Sequence, residues 1–213
     1  MEINNETYWK KYWKEEINKN RQTDYLADNW LNDYKSILEK IKDKKALDLG
    51  CGVGQDTKYL LKQGFKVIST DISNEALDKL KSVIPNSHVE QIDMTKPFPF
   101  EEEFGLVNAN LSIHYFDWKT TKQIFSEVNR ILKKEGIFVG RVNSDKIEGY
   151  NIEQAKKIED HFYYNVSYNK FYRLFNQKQF EELTKEWKIL VLKENITVRA
   201  DNKKALWEFI FQK

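Results

Sequence analysis

The sequence predicts an α/β fold: a doubly wound, mostly parallel, seven-stranded sheet with a C-terminal antiparallel hairpin and N-terminal helices. Three observations predict it. Short apolar runs alternate with amphipathic helical segments from residue 45 to residue 185, the pattern of a parallel sheet covered on both faces. The first run, Lys45–Leu49, leads into glycines at alternate positions, Gly50, Gly52 and Gly54, as a tight strand-to-helix turn requires. The last two runs, Trp187–Ile196 and Ala205–Phe211, have no helical pattern between them and read as a closing antiparallel pair.

The elements follow in order. Helical periodicity covers Glu6–Lys19 and Asn29–Lys42. After the strand Lys45–Leu49 comes a helix over Asp56–Gln63, then the strand Phe65–Thr70, which ends at Asp71. Ser73 caps a helix over Asn74–Ile84, and Pro85 stops it. Ser87–Ile92 and Phe104–Asn110 are the third and fourth strands. Asp117 caps a helix running to Lys133, with Ile124, Phe125, Val128, Ile131 and Leu132 on its buried side. Gly136 ends the next loop and Ile137–Val142 is the fifth strand. Asn176 opens a helix through Lys185, with Gln179 at the capping-box position.

Composition sets limits. A chain of 213 residues is expected to form one domain, 1–213, with a helical cap over residues 1–43 and an irregular insertion over 148–175. Lys+Arg number 35 and Asp+Glu 33, a balance that offers no large footprint for nucleic acid. The single cysteine, Cys51, excludes an intrachain disulfide and a cysteine-based zinc site. Its place between two glycines points to packing more than to nucleophilic chemistry. The three histidines, His88, His114 and His161, lack metal-ligand spacing, so no metal is expected. No apolar run is long enough to span a bilayer and the N-terminal segment is unlike a signal peptide, so a cytoplasmic location is expected. A monomer or a homodimer would both fit.

The stretch Asp48-Leu49-Gly50-Cys51-Gly52-Val53-Gly54-Gln55-Asp56-Thr57 carries most of the functional signal. The dinucleotide spacing G-x-G-x-x-G fails in both registers, because Gln55 and Thr57 fall where the third glycine belongs. What fits is Asp48-x-Gly50-x-Gly52-x-Gly54, which resembles the first motif of class I S-adenosylmethionine-dependent methyltransferases. That cofactor brings an ammonium, a carboxylate and a sulfonium. An acid on the strand suits the ammonium, and N–H groups at the helix start suit the carboxylate. Asp71 follows Gly54 by 17 residues, close to the spacing of a ribose-binding acid. A carboxylate there can accept from both ribose hydroxyls, although capping the next helix is an alternative role. The resemblance gives the adenine to Asp93 and the backbone of Met94.

The resemblance covers nearly the whole chain and implies a Rossmann-like fold. Gly50–Thr57 followed by Tyr59-Leu60-Leu61 and Gly64, together with Tyr8-Trp9-Lys10-Lys11-Tyr12-Trp13, is similar to small bacterial methyltransferases of the tellurite-resistance and thiopurine type. One departure is Gly105, where many relatives carry aspartate. The resemblance places Tyr12 and Trp13 over the cofactor, although they also fit one packed helix face. It puts Ile72, Asn110 and Leu111 beside the cofactor, along with Cys51, Asp56 and Thr57.

The segment Asn110-Leu111-Ser112-Ile113 lacks the Asn/Asp-Pro-Pro-Tyr tetrad of enzymes that methylate exocyclic amines, which argues against DNA bases. A small-molecule acceptor is the expected partner. An RNA or protein acceptor and a non-catalytic binder of the cofactor are the alternatives. His114 is the candidate general base, or else a packed residue beside Tyr115 and Phe116. Arg141 sits where it could hold a polar acceptor group. Tyr164 belongs to the aromatic-rich segment 148–175, which reads as a substrate cover, the underside of a lid or a dimer surface.

Overall fold

The computed structural model describes residues 5–18, 29–147, 155–199 and 202–213. The remaining parts of the expected helical cap and of the expected 148–175 insertion lie outside these. Strands β1 (Lys45–Leu49), β2 (Lys66–Asp71), β3 (His88–Gln91), β4 (Phe104–Asn110) and β5 (Leu132–Asn143) are parallel. The sheet is completed by β9 (Lys188–Arg199) and β10 (Asn202–Gln212) in the order β3-β2-β1-β4-β5-β10-β9. β10 is antiparallel to both of its neighbours, β5 and β9. No helix among the described residues is long and apolar enough to cross a membrane.

The two-residue period of the strands separates the core into two layers. Leu47, Val107, Phe138, Phe209 and Phe211 face one side, where they meet Phe125 and Val128 of α5 (Trp118–Ile131) and Phe180 of α6 (Gln177–Leu183). Their neighbours Ala46, Leu106, Ile137, Val139 and Ile210 face the other side, against Leu60 of α3 (Gln55–Lys62) and Leu38 of α2 (Lys35–Lys40). Gly105 has a packing reason: a Cβ there would lie 2.1 Å from the Asp43 carbonyl oxygen.

The caps act as expected. Ser73 Oγ accepts from Ala76 N at the start of α4 (Asn74–Val83), and Asp117 Oδ1 accepts from Thr120 N. Asn176 and Gln179 form the full capping box of α6. Three elements differ from expectation. Asn29–Lys42 is not one helix but a 3-10 turn, Trp30–Tyr34, followed by the short α2. The tighter turn buries Trp30, Leu31 and Tyr34 together. The helix α5 stops at Ile131 and β5 begins at Leu132 with no loop between, because both edges of the turn are hydrogen-bonded. Phe104 pairs with Leu132, while Glu135 N donates to Lys213 O and Gly136 O accepts from Lys213 N.

The third difference lies in the expected irregular insertion. Its described part forms a three-stranded antiparallel sheet of β6 (Lys156–Glu159), β7 (Phe162–Asn165) and β8 (Lys170–Arg173). Each strand has four residues and mixes apolar or aromatic with polar positions, too short for a periodic signal. The turns between them place His161 and Asn169 in the left-handed region. Buried Arg173 ties this sheet to the main body: its Nε and Nη1 donate to the carbonyls of Phe116 and Asp160, and Nη2 pairs with Glu159.

Candidate functional site

A cavity of about 280 Å3 opens at the carboxyl ends of β1, β2, β4 and β5, where ligands of open α/β sheets bind. The glycine loop Gly50–Val53 forms one wall. Asp71, Ile72, Ile92 and Met94 line one end, and Asp48, Asp56, Asn110 and Arg141 contribute the polar side. Leu111, Ser112, Tyr115 and Phe116 continue from β4. Trp9, Tyr12 and Trp13 of α1 (Asn5–Asn18) close the space from above.

The loop glycines are shaped by what approaches them. Gly50 has φ +75, and a Cβ there would lie 2.4 Å from Ser112 Cβ. Gly52 has φ +53, and a Cβ there would lie 2.7 Å from the Trp13 indole. Both positions exclude side chains by conformation and by space. The loop amides are turned inward. Gly50 N and Cys51 N both donate to Thr70 O, Gly54 N donates to Cys51 O, and Gly52 N donates to Asp71 Oδ2 at 2.9 Å.

Three buried carboxylates share this site. Asp48 Oδ2 accepts from Thr57 Oγ1 at 2.6 Å and Oδ1 accepts from Asn108 Nδ2 at 2.8 Å. The same Asn108 Nδ2 donates to Asp56 Oδ2 at 3.1 Å, so one amide group joins two acids. Burial, and then the charge of Asp56, push the Asp48 carboxyl up to about 7. Asp56 is raised by burial as well, against hydrogen bonds from Asn108 and Trp30 and the charge of Arg141. Asp71 is raised by burial, although Ser73 N and Gly52 N donate to it. Arg141 Nε donates to Asn110 Oδ1 at 2.9 Å, and its guanidinium stands 4.7 Å from the Trp30 ring centre. Burial and the nearby Asp48 and Asp71 charges raise the Cys51 thiol, so it stays neutral.

The structure brings most of the expected residues together. Tyr12, Trp13, Asp48, Gly50, Cys51, Gly52, Asp56, Asp71, Ile72, Met94, Asn110, Leu111 and Arg141 all line the cavity. Thr57 stands behind Asp48 as its hydrogen-bond donor. Asp93 is off the lining, and its Oδ1 accepts from Thr95 N and Oγ1. His114 is buried in the 3-10 turn Ile113–Tyr115, off the lining, with its ring 4.2 Å from that of Tyr115. Tyr164 lies on β7, away from the cavity, and its hydroxyl donates to Asn169 Oδ1 at 2.6 Å. Sequence reasoning missed Trp9, Tyr115 and Phe116 on the lining, and Trp30 and Asn108 behind it. Asn108 had a signal: it is a polar residue in the middle of a buried, otherwise apolar strand.

The donor set suits a ligand with a nucleoside end, two cationic groups and one anionic group. Three acids and one guanidinium line a cavity whose other walls are apolar or aromatic. Residues 47–140 match a family model described as a methyltransferase domain. An uncharacterized methyltransferase of Synechocystis is 38% identical over 96 residues, which is 45% of each chain.

Over residues 47–140 the chain is thus similar to methyltransferase domains.

The chain spans about half the length of the curated relatives it matches. A solved S-adenosylmethionine-dependent methyltransferase from Methanosarcina mazei superposes with a TM-score of 0.71 at 19% identity, covering 81% of this chain and 93% of that one. The 1,6-didemethyltoxoflavin-N1-methyltransferase of Burkholderia thailandensis, solved with 1,6-didemethyltoxoflavin and S-adenosylhomocysteine bound, superposes at 0.68. It is 17% identical, with 97% of this chain and 88% of that one covered. At these identities the two structures share the fold with this chain.

Proposed function

We propose that the protein transfers the methyl group of S-adenosylmethionine to a heteroatom of a small-molecule acceptor by direct in-line displacement. The observation that carries this reading is the aromatic wall. Trp9, Tyr12, Tyr115 and Phe116 stand beside the acidic end of the same cavity. A wall of rings suits a small acceptor and helps to exclude water around it.

In this reading Asp71 receives the ribose hydroxyls, and the Asp48–Asp56 pair receives the ammonium. Ile72, Ile92 and Met94 hold the adenine faces, with Asp93 next to them as acceptor for its amino group. When bound, the cofactor supplies an electrophilic methyl group carried on a sulfonium. His114 acts through Tyr115, whose ring it touches, and not as a base on the acceptor. The acceptor then arrives as its own nucleophile, an amine or a thiolate of suitable pKa. Alignment and water exclusion supply most of the rate, worth ~7–11 kcal/mol when geometry is good. The β6–β8 sheet takes the part of a buttress. Lys170 of β8 stands 4.6 Å from the Tyr115 ring centre and 5.7 Å from that of Trp9, so it holds two rings of the wall from behind.

The test is to incubate the purified protein with S-adenosylmethionine and a panel of amines, thiols, phenols and oxyanions, then quantify S-adenosylhomocysteine by mass spectrometry. Product formed with small acceptors supports the reading. Methylation of RNA or protein alone, or tight cofactor binding with no turnover on any acceptor, overturns it.

A further inference from the structure

The glycine loop leaves a gap in the chemistry of the cofactor tail. The tail carries an ammonium and a carboxylate on one carbon. A helix start usually serves the carboxylate. Here the amides of Gly50, Cys51, Gly52 and Gly54 are all hydrogen-bonded within the protein. The first turn of α3 also carries Asp56, whose charge repels an anion at that helix end. With these four amides engaged and an acid in the first turn, a cation is the stronger partner for the carboxylate.

Arg141 is the single cationic side chain among the described residues that line the cavity. It stands at the same end as Asp56, close enough for its charge to oppose the burial that raises the Asp56 carboxyl. Two contacts fix its direction: Nε on Asn110 Oδ1 at 2.9 Å, and the Trp30 ring against one guanidinium face at 4.7 Å. Trp30 Nε1 in turn donates to Asp56 Oδ2 at 3.3 Å, so one indole orients both charges. We infer that Asp56 and Arg141 form a clamp for an α-amino acid zwitterion, with Asp56 taking the ammonium and Arg141 the carboxylate. Arg141 is thus a cofactor-tail residue and not, as its place at the end of β5 first suggests, a holder of the acceptor. The inference rests on the proposed cofactor.

Binding of two nucleosides tests it, without turnover. S-adenosylhomocysteine carries the amino-acid tail, and 5′-methylthioadenosine lacks it. Arg141→Gln should weaken S-adenosylhomocysteine roughly 10- to 100-fold, the loss of a charge-assisted pair. It should leave 5′-methylthioadenosine within about 3-fold of wild type, and Arg141→Lys should recover part of the loss. Unchanged S-adenosylhomocysteine affinity in Arg141→Gln would overturn the clamp. Equal weakening of both nucleosides would do the same, since it marks a structural role. Wild-type protein that binds neither nucleoside would instead sink the cofactor reading itself, and the clamp with it.

Discussion

Replacing Asp48 by Asn is expected to stabilise the ligand-free protein at neutral and alkaline pH. In the fold, burial and the Asp56 charge push this carboxyl from its ordinary value of 3.8 up to about 7. The folded state therefore holds more protons than the unfolded state between those limits. Stability falls as pH rises through the window, and the whole loss is in place above it. A displacement of this size corresponds to on the order of 4 kcal/mol, and sharing of the proton with Asp56 spreads the transition. Asparagine removes the charge and keeps the hydrogen bonds. Its Oδ1 still accepts from Asn108, and its Nδ2 donates to Thr57 Oγ1. The Thr57 hydroxyl then turns to Ser69 Oγ, 2.9 Å away. At roughly 2–4 °C per kcal/mol for a chain of this size, Asp48→Asn should melt on the order of 10 °C higher at pH 8 and show no gain at pH 4. The assay is thermal unfolding by circular dichroism from pH 4 to 8 without cofactor. A variant no more stable than wild type at pH 8, or a wild-type curve that is flat across this range, would refute the reasoning.

Three further outcomes follow from the same geometry. Binding of S-adenosylmethionine near pH 6.5 should release protons, because a cationic tail favours the ionised Asp48–Asp56 pair; calorimetry in two buffers of different ionisation enthalpy reads the number, and zero release would contradict it. Gly52→Ala should loosen α1, since the new Cβ meets Trp13 at 2.7 Å in a left-handed backbone; cofactor affinity falls about 10-fold, measured by calorimetry, for ~1.4 kcal/mol of lost contact. Asn176→Ala should cost about 1–2 kcal/mol by removing the α6 capping box, read as a lower Tm with unchanged cofactor affinity.

The legible parts of this protein were the local ones. Caps at Ser73, Asp117 and Asn176 and the strands around Leu47, Ile68 and Val107 follow from residues within a few positions of one another. The glycine loop and Asp71 were legible because one turn and one strand end carry them. What stayed hidden joins distant segments. Asn108 bridges Asp48 and Asp56 from 60 and 52 residues away, and Lys170 reaches rings of α1 from β8. The strands β6–β8 hide for a different reason. Four residues give no period, and their order comes from Arg173 reaching the Phe116 carbonyl. His114 and Tyr164 were attractive by residue type, but type does not say which way a side chain faces. The fold turns one into a buried 3-10 turn and the other onto Asn169.

The position of β10 has a consequence for how the chain is made. It follows the other described strands in the sequence, yet it sits between β5 and β9. Until residues 206–212 have been translated, the β5 edge from Ile137 to Asn143 has no neighbour, and Phe138 lacks its contact with Phe209. A nascent chain that stalls before this point exposes a long apolar edge, the kind of surface that recruits other strands. Synthesis of β10 therefore commits the whole sheet, and chains cut short before it should be cleared by proteolysis or aggregate instead of persisting as partly folded protein.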